Sequence, residues 1–92
     1  MNNRQIFLQH IAQTSTAPIC IEMIKAEGVY LYDIQNKKYI DAIAGFSVSN
    51  IGHAHPKVIE AVKNQAEQYM HLIVYGEFIQ QPQTAYAKLL TE

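Results

Sequence analysis

Three runs with a two-residue period, separated by turn chemistry, constrain this chain more than any other feature. In residues 19–26, Ile19, Ile21 and Met23 alternate with Cys20, Glu22 and Ile24; Val29-Tyr30-Leu31-Tyr32-Asp33 is β-branched and aromatic; Tyr39-Ile40-Asp41-Ala42-Ile43 follows in the same manner. Gly28 allows the first turn. Residues 33–38 supply the second, with Asn36 the residue best suited to a left-handed backbone. The pattern predicts a three-stranded antiparallel meander over 19–43. A sheet of this kind needs a covering layer for its apolar residues, and a chain of 92 residues has little to spare for one.

The flanking patterns are helical. Over residues 1–14, Ile6, Phe7, Leu8, Ile11 and Ala12 recur at three- and four-residue spacings with Arg4, Gln5, Gln9 and Gln13 opposite them. Pro18 forbids that helix from continuing. Residues 44–55 are too polar for a core strand and too apolar for a plain linker, and read as a loop that meets something. Pro56 opens a helix over 56–70 whose apolar face carries Val58, Ile59, Val62, Ala66, Tyr69 and Met70. A largely apolar connector, 71–81, leads to a second Pro-initiated helix over 82–92 with Ala85, Tyr86, Leu89 and Leu90. That helix breaks off without a stop signal, as a cut piece would. The expected fold class is α+β: an N-terminal helix, the meander, then two helices.

Composition narrows the function classes. The chain is 49% hydrophobic and 16% charged, as globular domains are, and its seven basic and eight acidic residues leave a net charge of −1. No nucleic acid or anionic lipid is expected as a partner. No apolar run approaches the ~20 residues that span a bilayer, and the N-terminus lacks a signal-peptide core. Cys20 has no internal disulfide partner and reads as a small buried hydrophobe in a reduced, cytoplasmic setting.

Several side chains invite a chemical reading. His53 and His55 could suggest a metal, but two imidazoles without a third ligand fall short of a zinc site, and capping of the helix that Pro56 opens is the better reading. Asp33 and Asp41 could be a general acid and base; at a turn and a strand end they are better read as acceptors of local backbone N–H groups. Gly45 and Gly52 are too far apart for a phosphate-gripping loop. A Schiff-base lysine must be desolvated or set beside positive charge. Lys25, Lys37, Lys38, Lys57, Lys63 and Lys88 all stand among solvent-type neighbours and read as solvated charges.

The order Gly28-Val-Tyr-Leu-Tyr-Asp33, Asn36-Lys-Lys-Tyr-Ile-Asp41, Gly45, Gly52-His-Ala-His-Pro56, then Val58, Ala61 and Gln65, resembles the opening of the class III pyridoxal-phosphate-dependent aminotransferases of the acetylornithine/ornithine type. The stretch Val74-Tyr75-Gly76-Glu77-Phe78 extends the resemblance, which runs from about Thr14 to Glu92. Asn36 stands where the family usually has Gly, a mild departure because Asn tolerates positive φ. The resemblance implies part of the small domain of a fold type I enzyme. It also implies a homodimeric parent whose remaining domains hold pyridoxal phosphate, and an amino acid or amine donor with a 2-oxo acid acceptor. The family's large domain, with its cofactor lysine, has no counterpart in these residues, so no catalytic or cofactor-binding residue is expected here and the segment alone is expected to be inactive.

Carried over by position, Phe46 matches a place where relatives face the substrate, with Ser47, Val48 and the connector residue Tyr75 as further substrate-side candidates. Phe46 as core filler competes with that role. A different class of function stays open as well: a self-standing, oligomerising interaction module that keeps the fold without the reaction.

Overall fold

The computed structural model describes residues 1–92. Its elements are α1 (Asn3–His10), β1 (Met23–Glu27), β2 (Tyr30–Asp33), β3 (Lys38–Ile40), α2 (Ala44–Ser47), α3 (Pro56–Gln68) and α4 (Gln81–Thr91). They fall into two units, Met1–Glu60 and Ala61–Glu92; α3 crosses the boundary.

In the first unit the three strands form an antiparallel sheet in the order β1-β2-β3, the meander that the alternating runs predict. Lys25, Tyr32 and Lys38 lie in one cross-strand row, Ala26, Leu31 and Tyr39 in the next. Successive side chains point to opposite faces, so these rows belong to different faces. On the first, the Lys38 ammonium lies 4.5 Å from the centre of the Tyr30 ring and Lys25 lies 5.1 Å from that of Tyr32, while Lys25 also pairs with Glu27 at 2.7 Å.

The sheet departs from the sequence pattern at its start. Pairing shifts between Met23 and Lys25, leaving Ile24 as a bulge. Met23 therefore shares a face with Ala26, not with Lys25. The strand also begins at Met23 and not at Ile19, since Cys20 sits at φ 53 and interrupts the extended backbone. Cys20 is half-buried, less enclosed than its apolar neighbourhood predicts.

Helix α1 is shorter than the pattern over 1–14. Asn2 and Gln5 exchange side-chain and backbone hydrogen bonds at 2.9 Å, a capping box that fixes the start. The Gln13 amide donates to the carbonyls of Phe7 and Ile11 at 3.0 and 2.8 Å, which takes over the end of the helix and leaves Ile11 extended. The Asn3 amide reaches the Glu22 carboxylate, tying the helix to the segment before β1.

The second turn is organised by Asp33, the only buried residue, at 7% exposure. One carboxylate oxygen accepts the N–H groups of Gln35 and Lys37, both at 2.9 Å; the other accepts the Tyr39 hydroxyl at 3.0 Å. Asn36 takes φ 61, the left-handed conformation expected of it. Burial pushes the Asp33 carboxyl up, but these donors outweigh it and hold it below the ordinary value.

In the second unit, α4 begins with Pro82 in its first turn. The Gln65 amide donates to the Tyr69 carbonyl at 3.0 Å, satisfying a backbone acceptor just past the end of α3. No hydrophobic side chain is buried in either unit: Val58, Ile59 and Val62 of α3, and Tyr86, Leu89 and Leu90 of α4, are exposed.

Two outcomes follow. Expressed alone, Met1–Glu92 will bind a hydrophobic dye and melt without a sharp transition; a sharp transition with no dye binding would show that it needs no covering layer. In the protein that carries the segment, Asp33 will titrate below 3.8, the ordinary value. Because its folded pKa is depressed, its stabilising effect is complete above about pH 4 and is lost as pH falls through the folded value. Carboxyl-carbon NMR checks this, and a midpoint at or above 3.8 contradicts it.

Candidate functional site

The loop between β3 and α3 is closed at its base by the first hairpin turn. Gly28 and His53 exchange backbone hydrogen bonds at 3.0 and 2.8 Å, and the Asp41 N–H donates to the Val29 carbonyl at 2.8 Å. Asp41 and His53 are thereby brought side by side. The imidazole Nε2 lies 2.5 Å from Asp41 Oδ2, with the two side chains only 20% (His53) and 11% (Asp41) exposed. This hydrogen bond, followed by one from the Ala44 N–H, holds the Asp41 carboxyl below its ordinary value. Asp41 is therefore a carboxylate at neutral pH, so the imidazole N–H donates.

The second oxygen of Asp41 accepts the Ala44 N–H at 2.9 Å. From Ala44 the backbone winds with a left-handed sense: φ is 54 at Ala44, 63 at Gly45, 63 at Phe46 and 64 at Ser47. The N–H groups of Phe46 and Ser47 donate to the Ile43 carbonyl, and those of Val48 and Ser49 to the Ala44 carbonyl. Only Gly45 is free of the Cβ penalty; for the other three it is on the order of 1–2 kcal/mol each. Four consecutive residues in this region persist only where surrounding structure dictates them.

Where the turn points is clear from exposure. Phe46 is 87% exposed and Val48 77%, with Ile43 and Ile51 also exposed. Phe46 is thus not core filler within this segment. Phe46, Ser47 and Val48 share the turn, whereas Tyr75 is an exposed connector residue of the second unit. A concavity of about 500 Å³ in the first unit lies elsewhere, lined by Phe7, Pro18, Ile19, Ile21 and Met23.

Both aspartates accept local N–H groups as their positions predict, and His55 accepts the Lys57 N–H at 3.2 Å at the entrance to α3. The pairing of His53 with Asp41 leaves no local mark in the sequence: the two are twelve residues apart, and only the folded hairpin turn brings them together.

The lysines offer nothing to a carbonyl cofactor. All six are exposed. Lys25 is hydrogen-bonded to Glu27, which raises its pKa, the reverse of what a Schiff-base amine requires. Lys88 pairs with Glu92 at 3.5 Å, and Lys37 and Lys38 lie over tyrosine rings. These residues do not fit pyridoxal phosphate.

Comparison with known proteins agrees on one family. The profile described as aminotransferase class-III matches residues 11–92. An acetylornithine aminotransferase of Methanocaldococcus jannaschii is 43% identical over 72 residues, which is 78% of this chain and 18% of that protein. Among solved structures, an adenosylmethionine-8-amino-7-oxononanoate aminotransferase of the same organism superposes with a TM-score of 0.83 at 29% identity, over 95% of this chain and 21% of its own. A taurine:2-oxoglutarate aminotransferase of Bifidobacterium kashiwanohense, solved with PLP and glutamate, gives 0.80 at 26% identity, over 92% and 19%. The chain spans about a fifth of the length of these relatives.

The closed base generates an ordering. A Cβ on Gly52, at φ +87, would stand 3.3 Å from the Gly28 carbonyl oxygen; one on Gly28, at φ +60, meets nothing within 4 Å. In the protein that carries this segment, Gly52→Ala will cost about 1–3 kcal/mol and Gly28→Ala about 1 kcal/mol. Denaturant unfolding measures both, and equal or reversed costs would show that the close approach is not the constraint.

Proposed function

The chain belongs to the class III aminotransferase family, as an N-terminal segment of it, and on that premise we propose that the protein carrying it moves an amino group from an amino acid or amine to a 2-oxo acid. The observation that carries this reading is the family match across residues 11–92. Pyridoxal phosphate, present in the taurine aminotransferase relative, would be held by residues outside this segment and would supply the electron sink for the reaction. We place the protein in a reducing, cytoplasmic compartment as a homodimer.

The part assigned to this segment is to orient the substrate and keep water from it, not to transfer protons. Phe46 is its most direct contributor, with Ser47 and Val48 beside it on the same turn and Tyr75 as a further contact. Support comes from the exposed apolar tip, Phe46 and Val48, carried on a backbone that is hydrogen-bonded at its base.

A second reading, a self-standing oligomerising module without catalysis, draws on the absence of any buried hydrophobic side chain. A second copy could cover that surface as well as further domains could.

One set of measurements separates the two. The product of the complete reading frame, purified with pyridoxal phosphate, is assayed with 2-oxoglutarate and a panel of amines that starts from acetylornithine and taurine, named for its relatives. Transamination of at least one donor is expected, with kcat/KM lower by about tenfold in Phe46→Ala. The isolated segment, treated with pyridoxal phosphate and borohydride, should show no adduct at one favoured lysine. A reading frame that ends at Glu92, together with a stable homodimer of the 92-residue chain in sedimentation, would establish the module instead.

A further inference from the structure

The turn Ala44–Ser47 holds a backbone that three of its four residues disfavour. Its own hydrogen bonds run between 43 and 49 and would travel with it if the loop swung as a body. One hydrogen bond ties its first residue to a group outside that set: the Ala44 N–H to Asp41 Oδ1. The same carboxylate accepts His53 Nε2 through its other oxygen. His53 in turn is fixed through its backbone to Gly28, while the Asp41 N–H is fixed to Val29. Thus the carboxylate bridges the far end of the loop and the first amide of the turn. Both side chains are only partly exposed, so water does not compete freely for these bonds.

We propose that Asp41 and His53 are positioning residues for the reaction: their pairing fixes the left-handed turn and thereby the direction in which Phe46 is presented to the amino donor. The inference rests on the reading of Phe46 as a substrate contact. It goes beyond that reading by assigning a task to two groups that never meet the substrate. Asp41 acts through Ala44, and His53 acts through Asp41. Removal of the imidazole leaves the carboxylate free to turn away from Ala44, and the turn then samples other directions.

The test uses the full-length protein with pyridoxal phosphate, 2-oxoglutarate and the best donor of the panel above. His53→Ala and Phe46→Ala should each lower kcat/KM about tenfold, and the double variant should lose about tenfold, not a hundredfold, because both changes remove one effect. His53→Gln, whose amide can still donate to Asp41, should recover to within about threefold of wild type. Amide exchange gives a readout independent of activity: in His53→Ala the amides of Ala44, Val48 and Ser49 should exchange at least about tenfold faster while those of β2 and β3 hold. If the sheet amides also lose protection, Asp41→Asn takes its place, since it keeps an acceptor for Ala44 but offers no carboxylate to His53.

A hundredfold loss in the double variant, or unchanged exchange at Ala44, Val48 and Ser49, overturns the positioning role and leaves the Phe46 reading intact. A Phe46→Ala enzyme as active as wild type overturns the Phe46 reading, and the presentation of Phe46 falls with it.

Discussion

Two peptide units at the first hairpin turn hold the candidate site together. Gly28 takes both backbone hydrogen bonds of His53, and the Val29 carbonyl takes the Asp41 N–H. Everything between 41 and 53 is a loop closed at that point, with its ends in contact as in compact Ω-loops. Closure sets Asp41 beside His53, and the shared carboxylate then reaches Ala44. The left-handed turn and the exposed Phe46 follow directly from Ala44 along the chain.

The second governing fact is the missing core. The sheet is two hydrogen-bonded pairs of strands whose side chains are at best half-buried, apart from Asp33. What orders these residues locally is polar: the capping box at Asn2, the carboxylates at Asp33 and Asp41, and the Gln13 and Gln65 amides on backbone carbonyls. Hydrogen bonds choose among backbone conformations here, while the large apolar areas that stabilise a domain remain unspent. Apolar surface on this scale is suited to a further layer of protein.

Much of this was legible in the residues. Period-two runs and turn chemistry identify the meander, Asn36 identifies its left-handed corner, and Pro56 and Pro82 mark the helix starts. The aspartates behave as turn and strand-end carboxylates should. Four features were not legible. The bulge at Ile24 leaves no local mark, because Ile suits either face of a strand. The left-handed turn is built on Ala44, Phe46 and Ser47, residue types that do not advertise positive φ; only Gly45 hints at it. The bond from His53 to Asp41 depends on long-range closure, and no local rule reports it. Gln13 falls on the polar side of the helical pattern, yet its amide donates to the Phe7 and Ile11 carbonyls at the end of the helix.

The row formed by Lys25, Tyr32 and Lys38 bears on the life of the chain before any covering layer reaches it. The sheet has two unpaired borders, β1 and β3, and each carries one lysine of that row at its centre or its start. An uncovered sheet with open borders invites other strands to pair with it, and lysine on a short border strand is a recognised deterrent. With borders only five and three residues long, each bearing a lysine, the meander offers other strands little edge to pair with.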